Sequence, residues 1–253
     1  MDKVRKAIAD NGAAFGAWAG IADGVSIELM GKAGFDFVIL DTQHGGIGWA
    51  DLLTAFQALD VGGTRGLVRV GWTDPMQIMR AMDLGALGVV VPMVSTAEQA
   101  RPAAQAVRYP PHGIRSFGPV RSAYTAEGTA TEPLCMVMIE TAEAIDNVDA
   151  IAATPGVDGL FVGPVDLALS LGLGAALVMP DAVKAAIDKV VAACRRHDVV
   201  SGCAALGAAN AREMMDRGVQ FITIGADAGY IRRGAAADVA EARRWIEERG
   251  AAG

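Results

Sequence analysis

The chain has 253 residues, of which 52% are hydrophobic and 20% charged, with a formal net charge of -7 at pH 7. This length suits one large domain, and the acidic balance argues against nucleic acid or an anionic membrane surface as a partner. No apolar run reaches the roughly 18 residues of a membrane span, and the charged N-terminus lacks a signal-peptide core. Three cysteines, Cys135, Cys194 and Cys203, lie among apolar neighbours without metal-type spacing. We therefore expect buried reduced thiols and a cytoplasmic protein.

Short apolar segments alternate with helical patterns along the whole chain. The predicted strands are 15–19, 36–41, 66–70, 88–93, 135–139, 159–163, 199–203 and 221–225. Near-continuous hydrophobicity within each strand, with helices in between, indicates a parallel sheet covered on both faces. Eight such units predict an α/β fold, a closed (β/α)8 TIM barrel, which forms a single domain over residues 1–253.

Capping signals predict where the helices begin and end. Asp74 before Pro75 predicts an N-cap followed by proline in the first turn. Ser95 and Glu98 have the spacing of a capping box, and apolar residues recur at helical spacing across 181–197. Helices are also expected to end at three glycines, Gly156, Gly218 and Gly250.

Residues 109–134 interrupt this alternation, because they carry four prolines and show no clear period. A loop of this length inside a compact domain usually has a function. Its side chains Arg115, Ser116 and Arg121 are candidates for lining a pocket that takes an anionic or hydroxylated substrate. A surface excursion or a subunit contact is an equally good interpretation.

Polar residues stand where the apolar strands end, which is where the active sites of such barrels lie. Asp41 and His44 belong to the stretch LDTQHGG after the second strand, and Arg69 lies in the third. Glu140 directly follows the fifth strand, and Asp166 comes shortly after the sixth. Taken singly, Asp166 is equally a helix cap, Arg69 an ion-pair partner and His44 a structural histidine. Five such groups on one rim instead predict an active site.

The residue types at this rim suit one kind of chemistry. Glu140 and Asp166 come from adjacent strands and suit a hard divalent cation that keeps several waters, such as Mg²⁺ or Mn²⁺. Arg69 supplies a fixed positive charge for an oxyanion. Asp41 is placed to hold His44 in one tautomer and raise its basicity. A metal, an oxyanion stabiliser and a base together predict removal of a proton next to a carbonyl.

Other cofactor chemistries lack their sequence signals. The five lysines fall in the N-terminal segment or in predicted helices, so no Schiff-base lysine is expected at a strand end. The chain has neither a GxGxxG motif after a strand nor a Walker loop, so no nucleotide cofactor is expected. Gly163, which has no side chain, would let a small ligand approach the backbone closely.

Several segments together resemble a known family. They are FDFVILDTQHG, LVRVGWTDP, RYPPHGIRSFGPVRSA, MIETAEAIDN and VDGLFVGPVDLALSLG, and the likeness runs from about residue 12 to 232. Their order and spacing resemble the HpcH/HpaI aldolases, the class II pyruvate aldolases. The resemblance implies reversible cleavage of 4-hydroxy-2-oxo acids to pyruvate and an aldehyde, through an enolate and with Mg²⁺, Mn²⁺ or Co²⁺. It also implies a barrel that exchanges its last helix with a neighbouring subunit, often in a hexamer.

The same resemblance implies roles for individual residues. Glu140 and Asp166 would bind the metal, Arg69 would steady the enolate, and His44 with Asp41 would form the base. The implied substrate contacts are Gly163, Pro164, Val165, Trp18, Ser116 and Gln43, and Asp83 is expected to reach a neighbour's site. Many relatives have Glu in place of Gln43 and Gln in place of Met138, so the identity of the aldehyde stays open.

Three other functions remain as alternatives. A related acyl-CoA lyase of the citrate lyase β or malyl-CoA lyase type usually has a longer chain. A metal-free isomerase of sugar phosphates needs a phosphate cradle after the last strands, for which Ile224, Gly225 and Ala226 are the candidate. A non-catalytic barrel would not need the converging polar rim.

Overall fold

The computed structural model describes residues 3–124, 132–175 and 178–251, and it contains a closed barrel of eight parallel strands in chain order. The strands are β1 (Ala14–Ala19), β2 (Phe37–Asp41), β3 (Arg65–Arg69), β4 (Gly88–Val91), β5 (Leu134–Ile139), β6 (Gly159–Val162), β7 (Val200–Ala204) and β8 (Phe221–Ala226). Each strand pairs with the next, and β8 pairs with β1. All eight predicted strands and the predicted barrel are confirmed.

Helices connect the strands around the barrel, with one more before β1 and one after β8. They are α1 (Lys3–Asn11), α2 (Gly24–Lys32), α3 (Leu52–Gly62), α4 (Pro75–Asp83), α5 (Ala97–Ala106), α6 (Ala142–Asp146), α7 (Val148–Ala152), α8 (Pro164–Ser170), α9 (Asp181–His197), α10 (Ala208–Asp216) and α11 (Asp227–Ala251), with a 3-10 turn at Arg121–Ala123. Within the described ranges, none of these helices combines the length and apolarity needed to cross a membrane.

Aromatic side chains fill the inside of the barrel below its mouth. Phe37 stacks on Phe221 with ring centroids 3.7 Å apart, and Phe161 meets Phe221 edge-on at 6.0 Å. Gly16 makes room for them, because a Cβ atom there would lie 2.2 Å from the Phe37 ring. Helix α1 contributes Val4 to the same buried cluster. The interior is therefore a packed core, and open space for chemistry is left at the mouth.

Most of the predicted helix boundaries hold, with one correction. Asp74 caps α4 through its side chain, and α9 spans the predicted 181–197. The capping box, however, is formed by Thr96 and Gln99 rather than by Ser95 and Glu98. Ser95 instead hydrogen-bonds a threonine hydroxyl that follows β5, at 2.7 Å. The chain therefore stays non-helical for one residue more than the sequence pattern suggests.

Two of the three helix-ending glycines behave as expected. Gly218 follows α10 with φ +94, and Gly156 lies in the turn after α7 with φ +88. Gly250 does not end a helix, because α11 continues to Ala251. A glycine inside a helix costs only about 1 kcal/mol relative to alanine, so a long helix tolerates it.

The described part of the loop between α5 and β5 lies at the N-terminal end of the barrel, away from the strand exits. Arg115 donates to Asp83 at 2.7 Å, and Arg121 is paired with Asp60. Asp83 ends α4 just before β4, which fixes the level of this cluster. Within one chain, Arg115 and Arg121 are thus engaged in ion pairs away from the mouth, contrary to the expectation that they line its pocket. Residues 125–131 of the loop lie outside the described ranges.

Candidate active site

Asp41 and Arg69 form an ion pair at the mouth of the barrel. They end neighbouring strands at the same level, since Asp41 is in register with Arg69 across the β2–β3 pair. Arg69 donates from Nε to one carboxylate oxygen at 2.9 Å and from Nη2 to the other at 2.6 Å. This bidentate geometry fixes the plane of the guanidinium.

The surroundings of Asp41 keep its carboxylate ionised. Burial raises the pKa, but Arg69 and the backbone N–H groups of His44 and Gln43 lower it more, so the net pKa lies below the ordinary 3.8. Both N–H groups donate to Oδ1 of Asp41 at 3.1 Å. The carboxylate therefore holds the backbone of the His44 loop. The expected hydrogen bond from a ring N–H of His44 to the Asp41 carboxylate is not formed, because Arg69 and these two backbone N–H groups occupy the carboxylate.

Trp18 of β1 covers the face of the Arg69 guanidinium. The guanidinium carbon lies 4.5 Å from the centroid of the Trp18 ring, a cation–π contact. The indole Nε1 donates to Oγ1 of buried Thr223 on β8 at 2.8 Å, and Phe161 packs edge-on against the ring. Arg69 is therefore held by Asp41 in its plane and by Trp18 on its face.

Glu140 follows β5 and is only 3% exposed. Its Oε1 accepts the backbone N–H of Met93 at 2.6 Å, and Met93 has the unusual φ of 58 for a residue with a side chain. Its Oε2 faces Gly163, where a Cβ atom would lie 2.5 Å from that oxygen. One oxygen of Glu140 is thus held by the backbone, and the other points into space kept open by a glycine.

Electrostatic interactions connect Glu140 with the other rim residues. Burial raises its pKa above the ordinary 4.5, and the charge of Asp166 adds to this, while the Met93 N–H and the charge of Arg69 lower it. A buried carboxylate next to a second carboxylate is favoured in its charged form when a cation lies between them. The pair therefore has the electrostatics of a cation site.

Asp166 does not cap the helix in which it lies. The N-cap of α8 is Gly163, and Asp166 is in the first helical turn with an exposed side chain. The structural alternative of a helix cap is therefore wrong for this residue, and its carboxylate is available to a ligand.

The donor set at the mouth fits one class of metal ion. Across the described ranges, no group of three or more His, Cys, Asp and Glu side chains converges as a metal cage. This does not suit structural zinc, which takes four protein ligands. Magnesium and manganese are commonly held by one or two carboxylates, with water and substrate oxygens completing the shell. Glu140 and Asp166 fit that pattern.

The other predicted positions divide between the two ends of the barrel. Gly163 and Pro164 are buried at the mouth, Val165 is 39% exposed, and Gln43 is half-buried beside Asp41. Ser116 is exposed on the loop at the opposite end, where Asp83 pairs with Arg115. One chain thus places the metal, base and arginine candidates at the same end of the barrel but leaves Ser116 and Asp83 at the other end.

Sequence reasoning missed three residues around the site. Met93 acts through its backbone and carries no signal in its side chain. Thr223 lies within a predicted strand, where a threonine is an ordinary residue. Asp227 directly follows β8, so the rule that selected Asp41 and Glu140 at their strand exits would have found it.

Comparison with known proteins gives consistent matches over the whole barrel. The signature of the HpcH/HpaI aldolase/citrate lyase family matches residues 14–233. The chain is 37% identical over 240 residues to a 5-keto-4-deoxy-D-glucarate aldolase of Klebsiella pneumoniae, covering 91% of this chain and 93% of that protein. A family protein from Burkholderia cenocepacia has a TM-score of 0.86 at 30% identity, covering 96% of this chain and 100% of that one. A citrate synthase structure has a TM-score of 0.85 at 27% identity, covering 97% and 99%.

Fold, rim and relatives together define the class: an aldolase, which is a carbon–carbon lyase. The chain belongs to the HpcH/HpaI aldolase/citrate lyase family.

Proposed function

We propose that this enzyme is a metal-dependent aldolase that reversibly cleaves 4-hydroxy-2-oxo acids into pyruvate and an aldehyde. The observation that carries the proposal is the buried carboxylate of Glu140. The charges of Asp166 and Arg69 both act on its pKa, and its Oε2 faces Gly163. A cation bound by the two carboxylates would lie near the positive charge of Arg69, and together the two charges would stabilise an enolate oxygen.

Glu140 and Asp166 are the proposed ligands of a divalent ion such as Mg²⁺, Mn²⁺ or Co²⁺. When bound, the ion would supply positive charge to the oxygens of the 2-oxo acid. Met93 holds Oε1 of Glu140, so Oε2 is the oxygen that would face the ion. Pyruvate, or a related 2-oxo acid, would place its carboxylate against the backbone at Gly163. Pro164 has no N–H, so the first donors of α8 are the N–H groups of Val165 and Asp166.

His44 is the proposed base. In the cleavage direction it takes the proton of the 4-hydroxyl as the bond between C3 and C4 breaks, and the electron pair moves onto the 2-oxo acid as its enolate. The protonated ring then returns the proton to C3, which gives pyruvate. Arg69 stabilises the enolate oxyanion, and its fixed orientation between Asp41 and Trp18 supports this role. Asp41 supports His44 through its backbone and stays ionised.

The direct test is pyruvate release from a 4-hydroxy-2-oxo acid, before and after removal of divalent ions. We expect chelation to abolish release and Mg²⁺, Mn²⁺ or Co²⁺ to restore it. Full activity after exhaustive chelation, or a lysine adduct trapped by borohydride in the presence of pyruvate, would refute the proposal. Because the relatives are named for it, 5-keto-4-deoxy-D-glucarate is the first substrate to offer.

The contacts after β8 argue against the sugar phosphate isomerase. A Cβ atom on Gly225 would lie 2.7 Å from the Tyr230 hydroxyl, so that side chain occupies the space above the glycine. The carboxylate of buried Asp227 already accepts the N–H of Ala228 at the start of α11. An anionic side chain at this helix start repels a phosphate, so the proposed cradle is a poor one.

We also propose a homo-oligomer, a hexamer by family resemblance, in which α11 packs on a neighbouring subunit. Exposed apolar side chains on this helix support the proposal; they are Ile231, Val239, Trp245 and Ile246, between 52% and 70% exposed. Asp83 and Ser116 would then serve a neighbour's site across a subunit boundary. Light scattering of the full chain and of Trp245→Glu tests the assembly, and a monomer in both would refute it.

We place the protein, as one domain, in the cytoplasm, in line with its buried free thiols.

A further inference from the structure

We infer that Asp227 is a positioning residue for His44, acting through the backbone of two strand-exit loops. The inference rests on the proposed role of His44 as the base. It adds a residue from the other side of β1, since Asp227 follows β8 while His44 follows β2.

Within the described part of the chain, the Asp227 carboxylate accepts hydrogen bonds from three backbone N–H groups. Oδ2 accepts from Gly20 and from Ile21, each at 2.8 Å, and Oδ1 accepts from Ala228 at 2.7 Å. The residue is 3% exposed, so water does not compete for these bonds. Asp227 therefore clamps the loop that leaves β1 onto the end of β8.

The clamped loop in turn holds the His44 loop. The N–H of Gly46 donates to the carbonyl oxygen of Gly20 at 2.7 Å. Gly45 fits between Gly20 and Asp41, because a Cβ atom on it would lie 2.9 Å from the Gly20 Cα and 2.4 Å from the Asp41 carbonyl oxygen. Because these backbone atoms are closely packed, a displacement of Gly20 also displaces the backbone next to His44.

His44 has two backbone anchors in this arrangement. On one side its N–H bonds to Asp41, and on the other Gly46 bonds to the loop that Asp227 clamps. Its ring is exposed, so these backbone contacts set the position of the base. A base that is displaced by about 1 Å loses on the order of 10² in rate, which gives the clamp a catalytic consequence.

Asp36 provides a matched control, because its carboxylate bonds the other end of β1. Its carboxylate accepts the N–H of Phe15 at 2.8 Å, so it also bonds the backbone of β1, but next to the barrel bottom. Asp227→Asn and Asp36→Asn each replace a carboxylate by an amide against backbone donors. Only the first lies on the path to His44.

The test measures exchange of pyruvate methyl protons with solvent deuterium, together with kcat, KM and the metal concentration for half activity. We expect Asp227→Asn to lower exchange and kcat by about tenfold to 10², with KM and metal dependence near the parent values. Asp36→Asn should keep the parent exchange rate even where its melting temperature falls. Parent exchange in Asp227→Asn, or equal losses in both variants, would overturn the inference.

Gly46→Ala perturbs the same link from the other side, because its Cβ would lie 3.3 Å from the Gly20 oxygen. It leaves all charges in place and carries the test if Asp227→Asn does not fold. We expect a loss of exchange of the same kind. Where Asp227→Asn folds, the double variant Asp227→Asn/Gly46→Ala should lose less than the product of the two single losses. Parent exchange in Gly46→Ala, or a fully multiplicative double variant, would count against the clamp.

His44→Ala in the same assay separates this inference from the proposed function. Slow exchange in His44→Ala with parent exchange in Asp227→Asn refutes only the positioning role. Parent exchange in His44→Ala refutes His44 as the base, and the inference falls with it.

Discussion

Replacing Gly163 by alanine should weaken the cation site without substituting either proposed ligand. The new Cβ would lie 2.5 Å from Oε2 of Glu140, and an ordinary contact begins near 3.4 Å, so the carboxylate must retreat by about 0.9 Å. Retreat is hindered, because Oε1 is held by Met93 at 2.6 Å and the side chain is buried. Misplacing a catalytic group by about 1 Å costs on the order of 10² in rate, and disturbing the support of a metal ligand costs about 10- to 100-fold in affinity.

We therefore expect Gly163→Ala to raise the Mg²⁺ concentration for half-maximal pyruvate release by about 10- to 100-fold. Overpacking should also lower the free energy of unfolding by about 1–3 kcal/mol. The assay is a metal titration at fixed substrate, with a urea melt on the same preparation.

Gly66→Ala is the matched control for crowding alone. Its Cβ would lie 2.7 Å from a methyl of Leu59 and 3.0 Å from the Phe56 ring, so it is crowded by the core and not by the site. It should lose stability with an unchanged metal titration. A parent-like titration for Gly163→Ala, or equal shifts in both variants, would refute the reasoning about Glu140.

Four further outcomes are expected. His44→Ala should lower kcat by about 10² to 10⁴ with near-normal fold and metal affinity, measured by steady-state kinetics; a parent-like kcat would assign the base elsewhere. In Mn²⁺ titrations, Asp166→Ala should regain activity at high metal, whereas Arg69→Ala should stay about 10² or more below the parent at saturation, and the reverse pattern would exchange their roles. Burial raises the pKa of all three thiols, Cys135, Cys194 and Cys203, to about 12, so a thiol reagent at pH 8 should label them only after unfolding, and rapid native labelling would contradict their burial. The pKa of Asp41 is lower in the folded protein, so its ionised carboxylate stabilises the fold above about pH 3.8, and this stabilisation is lost as the pH falls through the lower folded pKa. Asp41→Asn should therefore weaken the dependence of the melting temperature on pH in the acid range, and an unchanged dependence would contradict this.

The barrel was predictable because each strand is a nearly continuous apolar segment, and the segments between strands have apolar residues at helical spacing. The rim was predictable for the same reason, since the end of an apolar strand is visible in the sequence. Asp41 and Glu140 were found by that rule, and Arg69 was found as a charged residue within an apolar strand. The structure brings the three together.

The partners of those residues were not predictable, because they depend on the register between strands and on backbone geometry. Asp41 was expected to hold the ring of His44, but the neighbouring strand places Arg69 opposite it and takes up the carboxylate. The hydrogen bond from the Met93 N–H to Glu140 depends on a left-handed backbone conformation at Met93, which a methionine side chain does not predict. The position of Ser116 at the other end follows from its connection, since a loop from a helix into a strand lies opposite the mouth.

The central claim is that this site removes a proton next to the carbonyl of a 2-oxo acid, with His44 as the base. Deuterium exchange into the pyruvate methyl group, followed by NMR without any aldehyde present, tests that step alone. The account predicts rapid exchange with Mg²⁺, none above background after chelation, and exchange slowed by about 10² or more in His44→Ala. Exchange that persists at the parent rate after chelation or in His44→Ala would contradict it.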